Sequence, residues 1–210
     1  MLAYKFLEAN GRGIFSNFSW PLPRDGAPGA WVESDVRPCH TGIHACRLPD
    51  LGYWMRHSLW QIELDGEIVE SRHKVVAPRG RLVRDIEGYP AAARQLCAVS
   101  AWRTRDRAVT ALRAEGQQAV ADQLAACATL AEVEALAPVV EGELLPESHS
   151  TTAALMAFDA AHFVPEGHPR EHSPFIAANA AGYEADDFDT GFTAERRFQS
   201  DWLIERLSLA

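Results

Sequence analysis

The stretch 88-GYPAAARQLCAVSAW-102 decides how the rest of the chain is read. Before it, aromatic, β-branched, glycine and proline residues dominate. From Pro90 onward the text turns alanine-rich, as in "QQAVADQLAACATLAEVEALA" (Gln117–Ala137). Proline suits the first turn of a helix, because its missing N–H would have no partner there and its φ is already helical. The expectation is an α+β fold. Residues 1–88 form a β-rich subdomain, a small and mainly antiparallel sheet with one short helix, and residues 89–210 form a helical subdomain.

Working back from the boundary, "YKFLEANGRGIFSNFSW" (Tyr4–Trp20) reads as two strands joined at Asn10-Gly11, a dipeptide that accepts the positive φ angles of a tight hairpin. "PLPRDGAPGAW" (Pro21–Trp31) is a Pro/Gly loop. "LWQIELDGEIVE" and "KVVAPRGRLV" supply further strands, broken at Asp65-Gly66 and Pro78-Arg79-Gly80, for a total of about five or six. Trp60, Ile62 and Leu64 alternate with Gln61, Glu63 and Asp65, so one face is apolar and the other carries carboxylates and an amide.

Working forward, the 3.6-residue period predicts a helix from Pro90 through Ala114, stopped at Gly116. Further helices follow over Gln117–Cys127, Leu130–Leu136, Thr151–Phe163, Phe175–Gly182 and Thr193–Leu207. In the last, Phe198, Trp202, Leu203 and Leu207 share an apolar face, while Glu195, Arg196, Arg197 and Asp201 belong to the charged remainder. "VPEGHPREHSP" and "GYEADDFDTG" read as polar loops.

The formal charge of −9 and pI near 5.3 argue against a bulk nucleic-acid partner, which would need basic residues gathered on one face. The local basic run Ser71–Arg84 could still hold a small anion. No secretory pattern opens the sequence and no stretch approaches a membrane helix, so a cytoplasmic protein without a membrane partner is expected. Cys39, Cys46, Cys97 and Cys127 are accordingly expected as thiols.

"VRPCHTGIHACRLPDLGYWM" (Val36–Met55) brings two cysteines and two histidines close together. Cys39, His40, His44 and Cys46 are competent zinc ligands, but C-x6-C is not the short pairing of structural zinc sites, and no metal is assigned. Other readings are packed thiols flanking a turn at Thr41-Gly42, or Cys46 as a nucleophile beside His44. His149, His162, His168 and His172 lack a fixed metal geometry. "EADDFD" lacks a calcium-loop pattern, and Ser16 and Ser19 lack a hydrolase elbow.

The order GIHAC strand, a short helix at Asp50–His57 bearing Tyr53, then the strand WQIELDG resembles the nicotinamide-binding segment of ADP-ribosyltransferases, over about thirty residues. That resemblance implies NAD as a possible cofactor, with Tyr53 as the stacking aromatic, His44 as a donor and Glu63 as the carboxylate at the anomeric carbon. Glu67 and Glu70 compete for that last role. Trp54 joins Tyr53 as a ligand-binding aromatic, and Arg79 and Arg81 would meet a pyrophosphate. The chain is also similar, through about Val83, to an uncharacterised actinobacterial and phage family carrying PCxxGxHAC, a likeness that implies no function. Two classes follow: an NAD- or nucleotide-using enzyme with its cleft beside GIHAC, or a non-catalytic module that binds a small molecule or a protein.

Overall fold

The structure, a computed structural model, describes residues 1–37, 40–140, 142–165 and 169–210. It is α+β, with the strands in the N-terminal half and a helical C-terminal half. Two compact units are present: Met1–Ala93 together with Gln199–Ala210, and Arg94–Phe198.

The first unit contains eight strands among the described residues: β1 (Leu2–Glu8), β2 (Arg12–Gly13), β3 (Val32–Glu33), β4 (Ile43–Ala45), β5 (Ser58–Asp65), β6 (Val69–Ser71), β7 (Lys74–Ala77) and β8 (Arg79–Asp85). They form an antiparallel sheet of order β2-β1-β5-β8-β3 and a smaller one of order β4-β7-β6. The hairpin into β2 turns at Asn10 (φ 63°) and Gly11 (φ 72°), the pair of left-handed residues expected there.

β1 pairs with β5 from Leu2↔Glu63 to Leu7↔Ser58. Residues opposite each other share a face, so Ala3, Leu7, Ile62 and Leu64 meet in one apolar cluster with Val75, Ala77 and Leu82. The other face is not simply polar. Tyr4, Phe6 and Leu59 are buried there, with the Phe6 ring edge-on to Tyr89 at 5.4 Å. β8 slips by one residue opposite Gln61/Ile62, which leaves Val83 without a partner on β5. The break expected at Pro78-Arg79-Gly80 is shorter than read: only Pro78 separates β7 from β8, since proline lacks the N–H but arginine and glycine can pair.

The short helix expected at Asp50–His57 is instead a 3-10 segment over Leu48–Tyr53, ended by Trp54 at φ −122°. Asp50 is drawn off by side-chain partners, accepting from Arg47 Nε at 2.8 Å and lying 3.4 Å from His73 Nδ1. Gly52 N–H donates to Ser200 Oγ at 2.9 Å. Trp20 is buried.

The helices are α1 (Tyr89–Ala114), α2 (Gln118–Ala126), α3 (Leu130–Val140), α4 (His149–His162), α5 (His172–Glu184) and α6 (Phe188–Leu207). In the second unit, Leu112, Leu124, Val133, Val140, Ala157 and Phe158 belong to one core. Several helices start earlier than the hydrophobic period suggests because caps set their ends. Ser148 Oγ accepts from Thr151 N–H at 3.0 Å, and Asp187 Oδ2 accepts from Thr190 N–H at 2.9 Å. Thr129 and Glu132 cap α3 reciprocally, at 3.2 and 3.1 Å. α3 then carries Pro138 inside it, past the end expected at Leu136.

α6 shows the clearest correction. Glu195 and Arg196, read as charged surface, are 1% and 5% exposed, whereas Phe198 is only half-buried. The Glu195 carboxylate is held by Arg103 at 2.9 and 2.7 Å and by Arg107 at 3.2 Å. Two forks on one carboxylate offset the desolvation that would otherwise forbid its burial. Among the described residues no helix is long and apolar enough to cross a membrane.

Glu195→Gln leaves two guanidinium groups facing a neutral amide and is expected to lower unfolding stability by about 2–3 kcal/mol. Glu184→Gln, at the exposed partner of Arg107, should change it by less than about 1 kcal/mol. Urea denaturation of both variants checks the contrast, and equal effects would show that burial of Glu195 is not what matters.

Candidate functional site

Along its outer edge β1 meets two partners that diverge. Toward its start, Tyr4 exchanges backbone hydrogen bonds with Cys46, at 2.9 and 2.7 Å; toward its end, Leu7 and Glu8 pair with Gly13 and Arg12 of β2. Between them opens a cleft of about 680 Å³, within the range of about 300–1,000 Å³ that small-molecule sites occupy. Lys5 and Phe6 line it from β1, Gly13–Ser16 with Phe18 and Trp20 from one side, and His40–Cys46 from the other.

The GIHAC segment reaches the cleft because Gly42 adopts φ 114°, and a Cβ there would come within 2.5 Å of Val76 Cγ1. Ile43–Ala45 then pair with Val75–Ala77. Ile43 and Ala45 point into the apolar cluster, which turns the His44 side chain to the other face.

Two cations and two indoles face this space. Lys5 Nζ donates to His44 O at 2.6 Å and lies 4.7 Å from the centroid of the Trp20 ring. Lys74 Nζ lies 5.8 Å from the Trp54 ring, whose Nε1–H is fixed to His73 O at 2.6 Å. Phe18 stands edge-on to Trp20 at 5.7 Å. Glu33 is at the border, where Arg79 Nε approaches its carboxylate at 3.3 Å. Burial brings the Lys5 amine down to about 8. His44 Nε2 is buried with no hydrogen-bond partner among the described residues. Burial, then the charges of Lys74 and Lys5, bring the imidazole down to about 4.

Of the residues named from sequence, His44 and Trp54 line this cleft. Tyr53 is not among its lining residues; it stacks on His73 with centroids 3.6 Å apart and planes 12° from parallel. Glu63 receives Arg81 at 2.7 Å, and Arg79 and Arg81 both lie over the Trp31 ring, at 4.4 and 4.5 Å. Those residues form a cluster of their own on β5 and β8, in which Asp65 also meets Arg79 at 3.5 Å. The setting of Cys46 does not favour the thiolate: its Sγ donates to Tyr4 O at 3.4 Å, and burial pushes the thiol far up. The zinc reading turns on Cys39, which lies outside the described residues. Among the described residues no three His, Cys, Asp or Glu side chains are grouped to hold a metal ion.

Lys5, Lys74 and Trp20 were missed. The available signal was a single lysine inside the apolar strand "LAYKFLE", on the face shared by Ala3 and Leu7. No family model, curated protein or solved structure matches the chain.

The His44 imidazole should titrate with a midpoint of about 4 rather than about 6.5, followed by the NMR shift of its ring protons. Because the folded value is depressed, the unfolded chain binds the proton first as pH falls. Stability is full above about 6.5 and falls toward pH 4, by about 1–2 kcal/mol for this partly solvated ring, and His44→Ala removes that component. A midpoint near 6.5 would contradict the desolvated setting.

Proposed function

We propose that the Met1–Ala93 unit binds a small ligand in the cleft beside the GIHAC segment, and that the ligand joins a flat ring to a negatively charged group. Nucleotides, with NAD and ADP-ribose among them, have that chemistry. The observation that carries the reading is the meeting of Lys5 and Lys74 with the Trp20 and Trp54 rings on one cleft. Indoles stack on a base, and the ammonium groups answer a phosphate. An overall charge of −9 does not oppose this, since the lining residues bear two lysines and one carboxylate.

Transfer of an ADP-ribosyl group is the second reading, and it asks for a carboxylate that can stabilise positive charge developing at the anomeric carbon. Glu33 borders the cleft with Arg79 Nε 3.3 Å from its carboxylate, whereas Glu63, held by Arg81, is not among the residues that line it. Glu33 is therefore the residue that favours this reading, with His44 as a neutral donor or acceptor to the ligand. The free thiols of Cys46, Cys97 and Cys127 suit a cytoplasmic setting.

Titration with AMP, ADP-ribose and NAD, followed by tryptophan fluorescence and thermal shift, tests the binding reading. At about a hundred times Kd, stabilisation of about 2.7 kcal/mol is expected, together with quenching that Trp20→Phe reduces. Absence of any response at millimolar concentrations of all three would contradict it. Chromatographic detection of nicotinamide released from NAD, lost in Glu33→Gln with binding retained, separates turnover from binding alone.

A further inference from the structure

Arginine provides eighteen of the chain's twenty basic side chains, and lysine the other two, Lys5 and Lys74. Both line the cleft. A cation needed only to grip phosphate is served at least as well by a guanidinium fork, which stays charged at every physiological pH. What an amine adds is the capacity to lose its proton and offer a lone pair to an electrophile.

The two lysines differ in their surroundings. Lys5 leaves β1 on the face it shares with Ala3 and Leu7. Its Nζ has one hydrogen-bond acceptor, His44 O at 2.6 Å, and the Trp20 ring at 4.7 Å; among the described residues no carboxylate pairs with it. Lys74, on β7, lies farther from its own indole, at 5.8 Å. The titratable groups that interact with Lys5 among the described residues are His44 and Cys46, and Lys74 acts on His44. His44 and Cys46 are both held neutral by burial, so no anion fixes the Lys5 charge.

We propose that Lys5 is the nucleophile of the cleft, forming an imine with the carbonyl carbon of a small aldehyde whose ring and anionic group are held by the indoles and Lys74. The Lys5 lone pair adds to the carbonyl carbon, a C–N bond forms, and the carbonyl π pair moves to oxygen. A proton passes from nitrogen to that oxygen to give the carbinolamine. The remaining N–H proton passes to the hydroxyl, the C–O bond breaks, water leaves, and nitrogen supplies the second bond of C=N. Nothing is oxidised or reduced, and water reverses the reaction. The neutral amine keeps one N–H on His44 O, which aims the lone pair away from β4. Burial brings this amine down to about 8, so about half of it is neutral at pH 8.

The proposal rests on the preceding reading for the ring and anion of the ligand, but not for the amine chemistry. The test therefore uses two probes on the full chain at pH 8: pyridoxal 5′-phosphate, an aromatic aldehyde with a phosphate, and benzaldehyde, which has no charge. Borohydride reduces any imine to a stable amine, and peptide mapping by mass spectrometry assigns it to Lys5 or Lys74. Lys5 is expected to carry about ten-fold more label than Lys74 with either probe. Burial favours the neutral, nucleophilic form of Lys5, and restricted access takes back part of that advantage. Label equal at the two lysines, or favouring Lys74, would overturn the proposal. If Lys5 is labelled by benzaldehyde and the phosphate probe has no advantage, the imine chemistry stands and the anion-binding reading falls. In Lys74→Gln, benzaldehyde should still label Lys5 while the phosphate probe loses its advantage. Loss of benzaldehyde labelling in that variant, with melting unchanged, would contradict the division of roles.

Discussion

Two backbone hydrogen bonds, Tyr4 N–H to Cys46 O and Cys46 N–H to Tyr4 O, tie the edge of the larger sheet to the strand that carries the GIHAC segment. They also fix which way β1 points its polar groups. In an antiparallel strand the outward N–H and C=O alternate with the inward ones, so if Tyr4 faces outward, Phe6 and Glu8 do as well. Glu8 meets Arg12 of β2, but Phe6 falls in the interval between the two neighbours, where neither strand has a residue paired with it. The cleft follows from that interval. A single continuous neighbour along β1 would close it, and Lys5 would then be an enclosed charge without water or ligand.

Burial of polar groups is handled differently at the two places where it matters most. On α6, the Glu195 carboxylate is removed from solvent but met by guanidinium donors of Arg103 and Arg107, which tie the helix to α1 within the second unit. In the cleft, Lys5 and His44 are desolvated with no carboxylate paired to either among the described residues, and their protonated forms are the ones disfavoured. The first arrangement serves structure. The second is the arrangement on which the proposed ligand binding rests, and it comes at some expense in stability.

The fold was legible in sequence wherever a local rule acted alone. Asn10-Gly11 announced its turn, Pro90 the start of the long helix, and Gly116, at φ 77°, its end. Legibility failed where side chains from distant positions decide the outcome. Glu195 reads as surface because its arginine partners are some ninety residues away, and the end of α3 was read too early because Pro138 is tolerated inside it. The same limit applied to the site. His44 and Trp54 could be named from the neighbourhood of GIHAC, which lies on the cleft as one continuous segment. Lys5 comes from a strand thirty-nine residues earlier in the chain, joined to His44 only through tertiary structure. Arg79, Arg81 and Glu63 were chosen for their charge, and sequence could not show that they are engaged with one another and with Trp31.

The central claim is that ligand chemistry belongs to the fork of β1 and not to the charged cluster on β5 and β8. Amide and indole chemical-shift mapping during a titration with ADP-ribose distinguishes the two directly, because each region has its own tryptophan. The account predicts saturable shifts at Phe6, at Gly42–Ala45 and at the indole N–H groups of Trp20 and Trp54, with Trp31 unmoved. Shifts gathered on Trp31, Arg79 and Arg81 while the fork stays silent would contradict it.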